Sequence, residues 1–274
     1  IAVHNGKIYV GGIYSDQSQS RSYTCHWENG VKYDNSAPGS SNSYAMLVKS
    51  NGQVISVGSY ITGHHRDTPA YWVNNTRNSL SVGNQADSYV MDVAIRPSDG
   101  KTIFAGDYTN ENVMWIKPAY WVPGRNLGNI GSYDDANVYG LTVGQGGAVY
   151  MAGTIGKMEI QGWNGNYPNY TIHQKPAYWI NNSPRILQGA TVNGVQLTDG
   201  RATDIEIVDG KIVVLGFLNG MYYDTNNDGV PDDWDSDGIP DKNLDTGYPC
   251  IWIDGTPHVL DSQNVGEVHT LFIR

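Results

Sequence analysis

The chain has 274 residues, with 33 glycines, 19 tyrosines, only 3 phenylalanines and a formal net charge of -10. That length holds one large all-β domain or two ordinary ones, and the glycine and tyrosine content suits short strands joined by many turns. The negative charge argues against nucleic acid or an anionic membrane as partner. No apolar run reaches the roughly 20 residues of a membrane span, and two cysteines, Cys25 and Cys250, make no disulfide framework.

Taken in chain order, the predicted elements repeat one plan. Residues 1–36 start with a short strand, turn at Asn5-Gly6, continue through KIYVGG, and after a polar stretch carry YTCHWENG with a second turn at Asn29-Gly30. Residues 43–83 carry YAMLVKS, a turn at Asn51-Gly52, QVISVGSY, TPAYWVNN, then NSLSV. Residues 88–132 carry Asp99-Gly100, KTIFAGD and KPAYWVPG, and residues 137–189 carry Gly146-Gly147, AVYMAGT and KPAYWINN. Residues 201–262 carry Asp209-Gly210, KIVVLGF and YPCIWIDG, with Asp254-Gly255 as the second turn. The turn dipeptides are those that tolerate positive φ in two-residue hairpins. No segment sustains a helical period.

Two positions mark the period. The late glycines Gly12, Gly58, Gly106 and Gly153 recur at intervals of about 47 residues, and Gly216 follows after a longer step. Each is followed by a tryptophan: Trp27, Trp72, Trp121, Trp179 and Trp252. Four strands repeated at this period predict an all-β fold, a single β-propeller of five four-stranded blades. Alternation in the phrase AYW puts alanine and tryptophan on one face and tyrosine on the other. A small residue beside a large one then lets neighbouring blades interlock. Cys25 and Cys250 occupy the slot of Ala70, Ala119 and Ala177, so both are expected to be buried fillers.

These repeats resemble bacterial surface propellers whose units read as a VYVAG-like strand followed by A-x-YW-x-NG. The resemblance implies the fold and an extracellular or cell-surface setting, and no activity. Five-bladed propellers include glycan-binding lectins, but no lectin's sugar-binding residues match positions here. The WD40 and kelch hallmarks are missing, as is the sialidase-type S-x-D-x-G-x-x-W box.

The repeat breaks twice. The path from late glycine to tryptophan is short and nearly constant in the first three repeats, from Gly12 to Trp27, Gly58 to Trp72 and Gly106 to Trp121. It is much longer in the last two, from Gly153 to Trp179 and from Gly216 to Trp252. The extra length is expected in loops between the second and third strands of repeats four and five, crowding one face of the disc. Residues 157–174 bring Trp163, Tyr167, Tyr170 and His173 among amides, a set able to stack on and hydrogen-bond a sugar. The alternative is that Trp163 folds back onto its own blade.

Residues 224–245, DTNNDGVPDDWDSDGIPDKNLD, hold eight aspartates. Crowded carboxylates repel unless a cation neutralises them. Asp224, Asn226 and Asp228 stand at positions 1, 3 and 5 of a calcium loop, with Gly229 at 6, the Val230 carbonyl at 7, Asp232 at 9 and Asp235 at 12. A second loop starts at Asp233 and uses Asp235, Asp237 and Asp241; its twelfth position is Leu244, so it must borrow a ligand such as Asp245. The run resembles the thrombospondin type 3 repeats, which implies Ca2+ as a structural staple. The alternative is a solvated acidic loop.

Glu267–Arg274, EVHTLFIR, aligns with the first-strand segment RATDIEIV at 201–208, while Ile1 aligns with Ile205. The chain is read as a processed or trimmed product with a stunted first strand and a spare last one. The spare strand, with Val268, Thr270, Leu271, Phe272 and Ile273 as its pairing residues, closes its own ring, joins the next copy head to tail, or belongs to a longer propeller.

Sequons at Asn74, Asn169 and Asn181 are candidate glycosylation sites. The seven histidines are scattered, and no nucleophile elbow, phosphate loop or zinc spacing appears. The expectation is a non-catalytic extracellular scaffold or fibre subunit with structural calcium, its partners being copies of itself. A glycan-binding module is the alternative, and a polysaccharide-acting enzyme comes third.

Overall fold

The computed structural model describes residues 1–16, 18, 20–35, 37, 39–61, 66–81, 85–110, 113–123, 128–129, 135–164, 167–219, 247–264, 266 and 268. For 85–86, 110, 113–115, 128–129, 157–164 and 167–173 it describes backbone alone. No helix occurs among the described residues, and so none that is long and apolar enough to cross a membrane.

Strands consecutive in sequence form five four-stranded antiparallel sheets. The first contains β1 (Ala2–His4), β2 (Lys7–Asp16), β3 (Arg21–Glu28) and β4 (Val31–Asp34). The second contains β5 (Ser41–Val48), β6 (Val54–Ile61), β7 (Asp67–Val73) and β8 (Thr76–Ser79). The third contains β9 (Gln85–Ile95), β10 (Thr102–Asn110), β11 (Val113–Trp121) and β12 (Gly128–Asn129). The fourth contains β13 (Asp135–Val143), β14 (Val149–Asn164), β15 (Tyr167–Ile180) and β16 (Ser183–Ile186). A separate hairpin, β17 (Ala190–Val192) and β18 (Val195–Leu197), precedes the fifth sheet of β19 (Gly200–Val208), β20 (Lys211–Leu218), β21 (Tyr248–Ile253) and β22 (Thr256–Val259). This is a β-propeller-like, all-β architecture. The chain divides into two compact units: Ile1–Ser132 with Asn137–Val149, and Tyr133–Ala136 with Tyr150–Arg274.

The turns are largely those the dipeptides specify. Asn5 and Gly6 have φ of 48° and 74°, and His4 pairs with Lys7, a two-residue hairpin. Asp209-Gly210, Asn29-Gly30 and Asp254-Gly255 also have positive φ at both residues. Three first hairpins differ from expectation. Asn51, Asp99 and Gly146 are not in the positive-φ region, and only the following glycine is. The Gly52 amide bonds the Lys49 carbonyl at 2.8 Å, and Gly147 bonds Gly144 at 2.8 Å. These are longer loops that close on a single left-handed glycine. The β17–β18 hairpin was not foreseen, though Asn193-Gly194 carries the same signal, with φ of 52° and 83°.

The AYW phrase packs as its alternation predicts. In the first unit, Tyr71 of the second sheet stacks on Phe104 of the third, with centroids 4.6 Å apart, and joins a core that contains Ala119 and Trp121. The Trp121 indole donates to the Ser81 carbonyl, 3.2 Å away in the connection from the second sheet. Trp72 and Ala70 pack with Tyr60 and with Ala37, in the connection from the first sheet. In the second unit, Tyr178 of the fourth sheet shares a core with Val214, Cys250 and Trp252 of the fifth, and Trp252 donates to Gln188 at 2.8 Å. Within the first unit the tryptophan face of the third sheet therefore seats on the second, and within the second unit that of the fifth sheet seats on the fourth.

The late glycines have a steric cause. Each faces the small residue of the phrase across the second ladder: Gly12↔Cys25, Gly58↔Ala70, Gly106↔Ala119, Gly153↔Ala177 and Gly216↔Cys250. On the other side, the first strand bulges, with register shifts at Ser43/Ala45, Ala105/Gly106 and Ala202/Asp204. The bulge drives a carbonyl into the space a Cβ would take. A Cβ on Gly58, Gly106 or Gly216 would lie 1.8, 2.0 or 2.0 Å from the oxygens of Asn42, Tyr89 or Arg201. Backbone cannot rotate away as a flexible side chain can. Gly106→Ala should therefore cost about 3 kcal/mol, measured as a lower urea midpoint; an unchanged midpoint would contradict the bulge geometry.

Candidate functional site

Most of the sequence-predicted site residues lie outside the described residues. These are the calcium set of Asp224, Asn226, Asp228, Val230, Asp232, Asp233, Asp235, Asp237, Asp241 and Asp245, together with Thr270, Leu271, Phe272 and Ile273. Val268 is described and half-buried, but in no strand.

Residues 157–164 and 167–174 are strand, not loop, which corrects the expectation. β14 and β15 continue as one long hairpin, paired from Tyr150↔Ile180 out to Asn164↔Tyr167, with one register shift between Ile160 and Gly162. Thr171 and Ile172 on β15 favour strand, and they pair with Glu159 and Met158, so the ladder is extended instead of a loop being ordered. Trp163 pairs with Pro168, Ile160 with Tyr170 and Lys157 with His173, so the ladder spreads these four residues along its outer half. Asn169 lies on β15 opposite Gly162.

Asn74 and Asn181 are exposed at the hairpin after the tryptophan, with φ of 44° and 54°. Asn74 also has a structural role: its side-chain oxygen accepts the Val54 amide at 3.0 Å. Asn29 accepts from Ile8 and Asp254 from Ile212, each at 2.9 Å. Cys25 and Cys250 are free and fully buried. Burial raises the Cys25 thiol pKa and pushes that of Cys250 up to about 12. Both match the expected alanine-slot role and are poor nucleophiles.

Sequence reading missed a polar band in the first unit, at the ends of β6, β7, β9 and β10. Asp67 starts β7. Its carboxylate accepts from the Ser59 hydroxyl at 2.9 Å and the Tyr89 hydroxyl at 3.2 Å. Its own amide donates to the Asp87 carboxylate at 2.9 Å. The Asp87 amide donates to Thr109 Oγ1 at 2.9 Å. Asp107, one residue past the late glycine, accepts from Asn137 Nδ2 at 3.3 Å. Tyr44 meets Tyr89 edge-on, with centroids 6.4 Å apart. Nearby, the Asp92 carboxylate accepts the Leu141 amide at 2.7 Å.

Burial first, and then the Asp67 charge, raise the pKa of both the Tyr44 and Tyr89 phenols. Both phenols are therefore neutral, and that of Tyr89 donates to the Asp67 carboxylate. Asp67 and Asp87 link the second sheet to the third, and Asp107 and Asp92 link the third to β13. The arrangement stitches neighbouring sheets and leaves hydroxyl, amide and carboxylate groups at one edge. Among the described residues, no group of three or more histidine, cysteine or acidic side chains is placed to hold a metal. A sequence signal existed: Asp87, Asp135 and Asp199 each stand three residues before Val90, Val138 and Ala202, at one repeat position.

No protein-family model matches the chain, and no curated protein does. Among solved structures, the crystal structure of the tricorn protease matches with 9% identity and a TM-score of 0.43, covering 95% of this chain and 30% of that one. The chain thus spans about a third of that protein's length, and at this TM-score the likeness carries no argument about function.

Asp67→Asn removes one charge beside Tyr89. In 13C-tyrosine NMR titrations, Tyr89 of the parent should stay protonated well above the ordinary tyrosine range of about 10. In the variant it should titrate at lower pH; identical titrations would contradict the cluster's electrostatics.

Proposed function

We propose that the chain is a non-catalytic extracellular scaffold, a five-bladed propeller whose copies are joined head to tail by the segment 267–274. Ca2+ held by residues 224–245 staples its last blade. The observation that supports assembly is at the first sheet. Ile8, Val10 and Ile13 of β2 and Val31 of β4 are 50%, 38%, 48% and 58% exposed. Exposed apolar side chains grouped on one sheet mark a surface for contact with another chain. The aspartate spacing supports calcium: eight carboxylates crowded into one short segment need a counterion to fold together.

A second reading, a glycan-binding module, draws on the long β14–β15 hairpin, where Trp163 and Tyr167 fall on the outermost rungs. Aromatic side chains there would stack on a sugar ring. A glycan array comparing the parent with Trp163→Ala separates the readings; loss of a specific signal in the variant would favour glycan binding.

For the scaffold, light scattering and microscopy should show oligomers of the intact chain and monomers of a form ending at residue 266. Equally monomeric forms would remove the assembly reading. Chelation should lower the melting temperature by several degrees, since an ion bound only to the folded state stabilises it. Asp228→Ala should abolish that response, and a chelator-insensitive parent would remove calcium.

A further inference from the structure

The contact between the first and second sheets is polar where the corresponding contacts elsewhere are apolar. The Asn35 amide donates to the Thr24 carbonyl at 3.0 Å, as Leu80 does to Pro69, Leu187 to Pro176 and Leu260 to Pro249. Asparagine thus stands in a leucine slot and threonine in a proline slot. Two residues past Thr24 on β3 is His26, where the other sheets carry Tyr71, Tyr120, Tyr178 and Ile251. Tyr71 and Leu80 join the apolar core between the second and third sheets, and Tyr178 and Leu187 that between the fourth and fifth.

The polar set is enclosed: Thr24, His26, Asn35 and Ser41 are at most 4% exposed. Two hydrogen bonds cross from β3 to β5 there. The Thr24 amide donates to Ser41 Oγ at 2.9 Å, and the Ser41 hydroxyl to Thr24 Oγ1 at 3.4 Å. The remaining groups are unsatisfied. His26 Nδ1 and both polar atoms of the Asn35 side chain are buried, with no hydrogen-bond partner among the described residues. The His26 ring stacks on Tyr33, opposite it on β4, with centroids 5.2 Å apart. The register makes His26 and Asn35 diagonal neighbours on one face. β1 lies on the far side of β2 from this site.

A neutral imidazole can be held in such a place, because the stacked ring is largely apolar. An imidazolium turns both nitrogens into donors and resists leaving water. The strands packed most closely on β3 are β2, β4 and β5. On the His26 face, β2 brings Lys7 and Tyr9, β4 brings Tyr33 and β3 itself brings Glu28. Asp16, Arg21, Lys32 and Asp34 lie on the opposite face, in line with Cys25 and Trp27. β5 and the connection before it carry no charged residue, and Tyr44 is their one titratable group. Glu28 alone favours a cation at His26, and Lys7 already holds it in an ion pair. Burial outweighs Glu28 and lowers the His26 pKa.

We propose that His26 is an acid-sensitive joint between the first and second sheets: the neutral ring closes the contact, and the protonated ring opens it. The closed contact binds fewer protons than the open one. Its stability is therefore fully present above the ordinary histidine value of about 6.5 and is lost as pH falls through that value.

A histidine NMR titration and amide hydrogen exchange of the whole chain, between about pH 7.5 and 5.5, read the joint directly. His26 should titrate below about 6.5. After correction for intrinsic exchange rates, protection of the Thr24 and Asn35 amides should fall about five- to tenfold on acidification. The amide of Leu80, the counterpart of Asn35 in the second sheet, should keep its protection. In His26→Tyr, which restores the residue of three other repeats, the loss at Thr24 should vanish. A His26 that titrates at or above the ordinary value, or Thr24 protection unchanged with pH, overturns the proposal from the parent alone. Equal losses at Thr24 and Leu80 would place the effect in the whole unit, and a loss that persists in His26→Tyr would place it in another group; either result overturns it too.

Discussion

A four-stranded sheet with apolar side chains on both faces cannot stand alone in water, and this constraint organises the chain. The third and fifth sheets offer an alanine or cysteine and a tryptophan to the sheet before them, and the second and fourth offer a tyrosine to the sheet after them. Burying an indole removes about 150–250 Å² from water, worth about 4–6 kcal/mol as an upper bound. The indole hydrogen bonds of Trp121 and Trp252 add about 1 kcal/mol each. The apolar contact therefore decides the stacking, and the hydrogen bonds fix its register. Close stacking also needs small residues where strands crowd, which is why glycine stands opposite alanine or cysteine in every repeat. The polar stitches of Asp67, Asp87, Asp92 and Asp107 sit where the apolar layer ends. They satisfy groups that stacking would otherwise bury without partners.

The repeat was legible because packing writes itself into sequence at fixed spacing. The tryptophan face, the small slot and most hairpins could be read before any coordinates, and the structure agrees at Ala70, Trp121 and Cys250. What escaped was of two kinds. The bulges are backbone events, visible only through the glycine each imposes on its neighbour, so the mark was seen and its cause was not. The Asp87, Asp135 and Asp199 series recurs in three of the repeats, but aspartate at a strand's start reads as turn chemistry. The extended β14–β15 hairpin failed for another reason. Residues 157–174 mix amides with Ile, Thr and Tyr, and pairing along an existing ladder overrode the loop-like composition. The calcium motif, the clearest sequence signal of chemistry, falls outside the described residues.

The first sheet stands apart from the other four in burial. It obeys the repeat in sequence and departs from it in burial, at Val10, Ile13 and Trp27 together. Val10 and Ile13 are 38% and 48% exposed, where their counterparts in the other sheets are buried.

Hydroxyl-radical footprinting of the dilute protein, read by mass spectrometry at the repeat tryptophans, tests this most directly. Oxidation at Trp27 well ahead of Trp72, Trp121, Trp179 and Trp252 is the predicted result. Equal protection of Trp27, or comparable labelling of any of the other four, would contradict burial of the tryptophan faces by stacking.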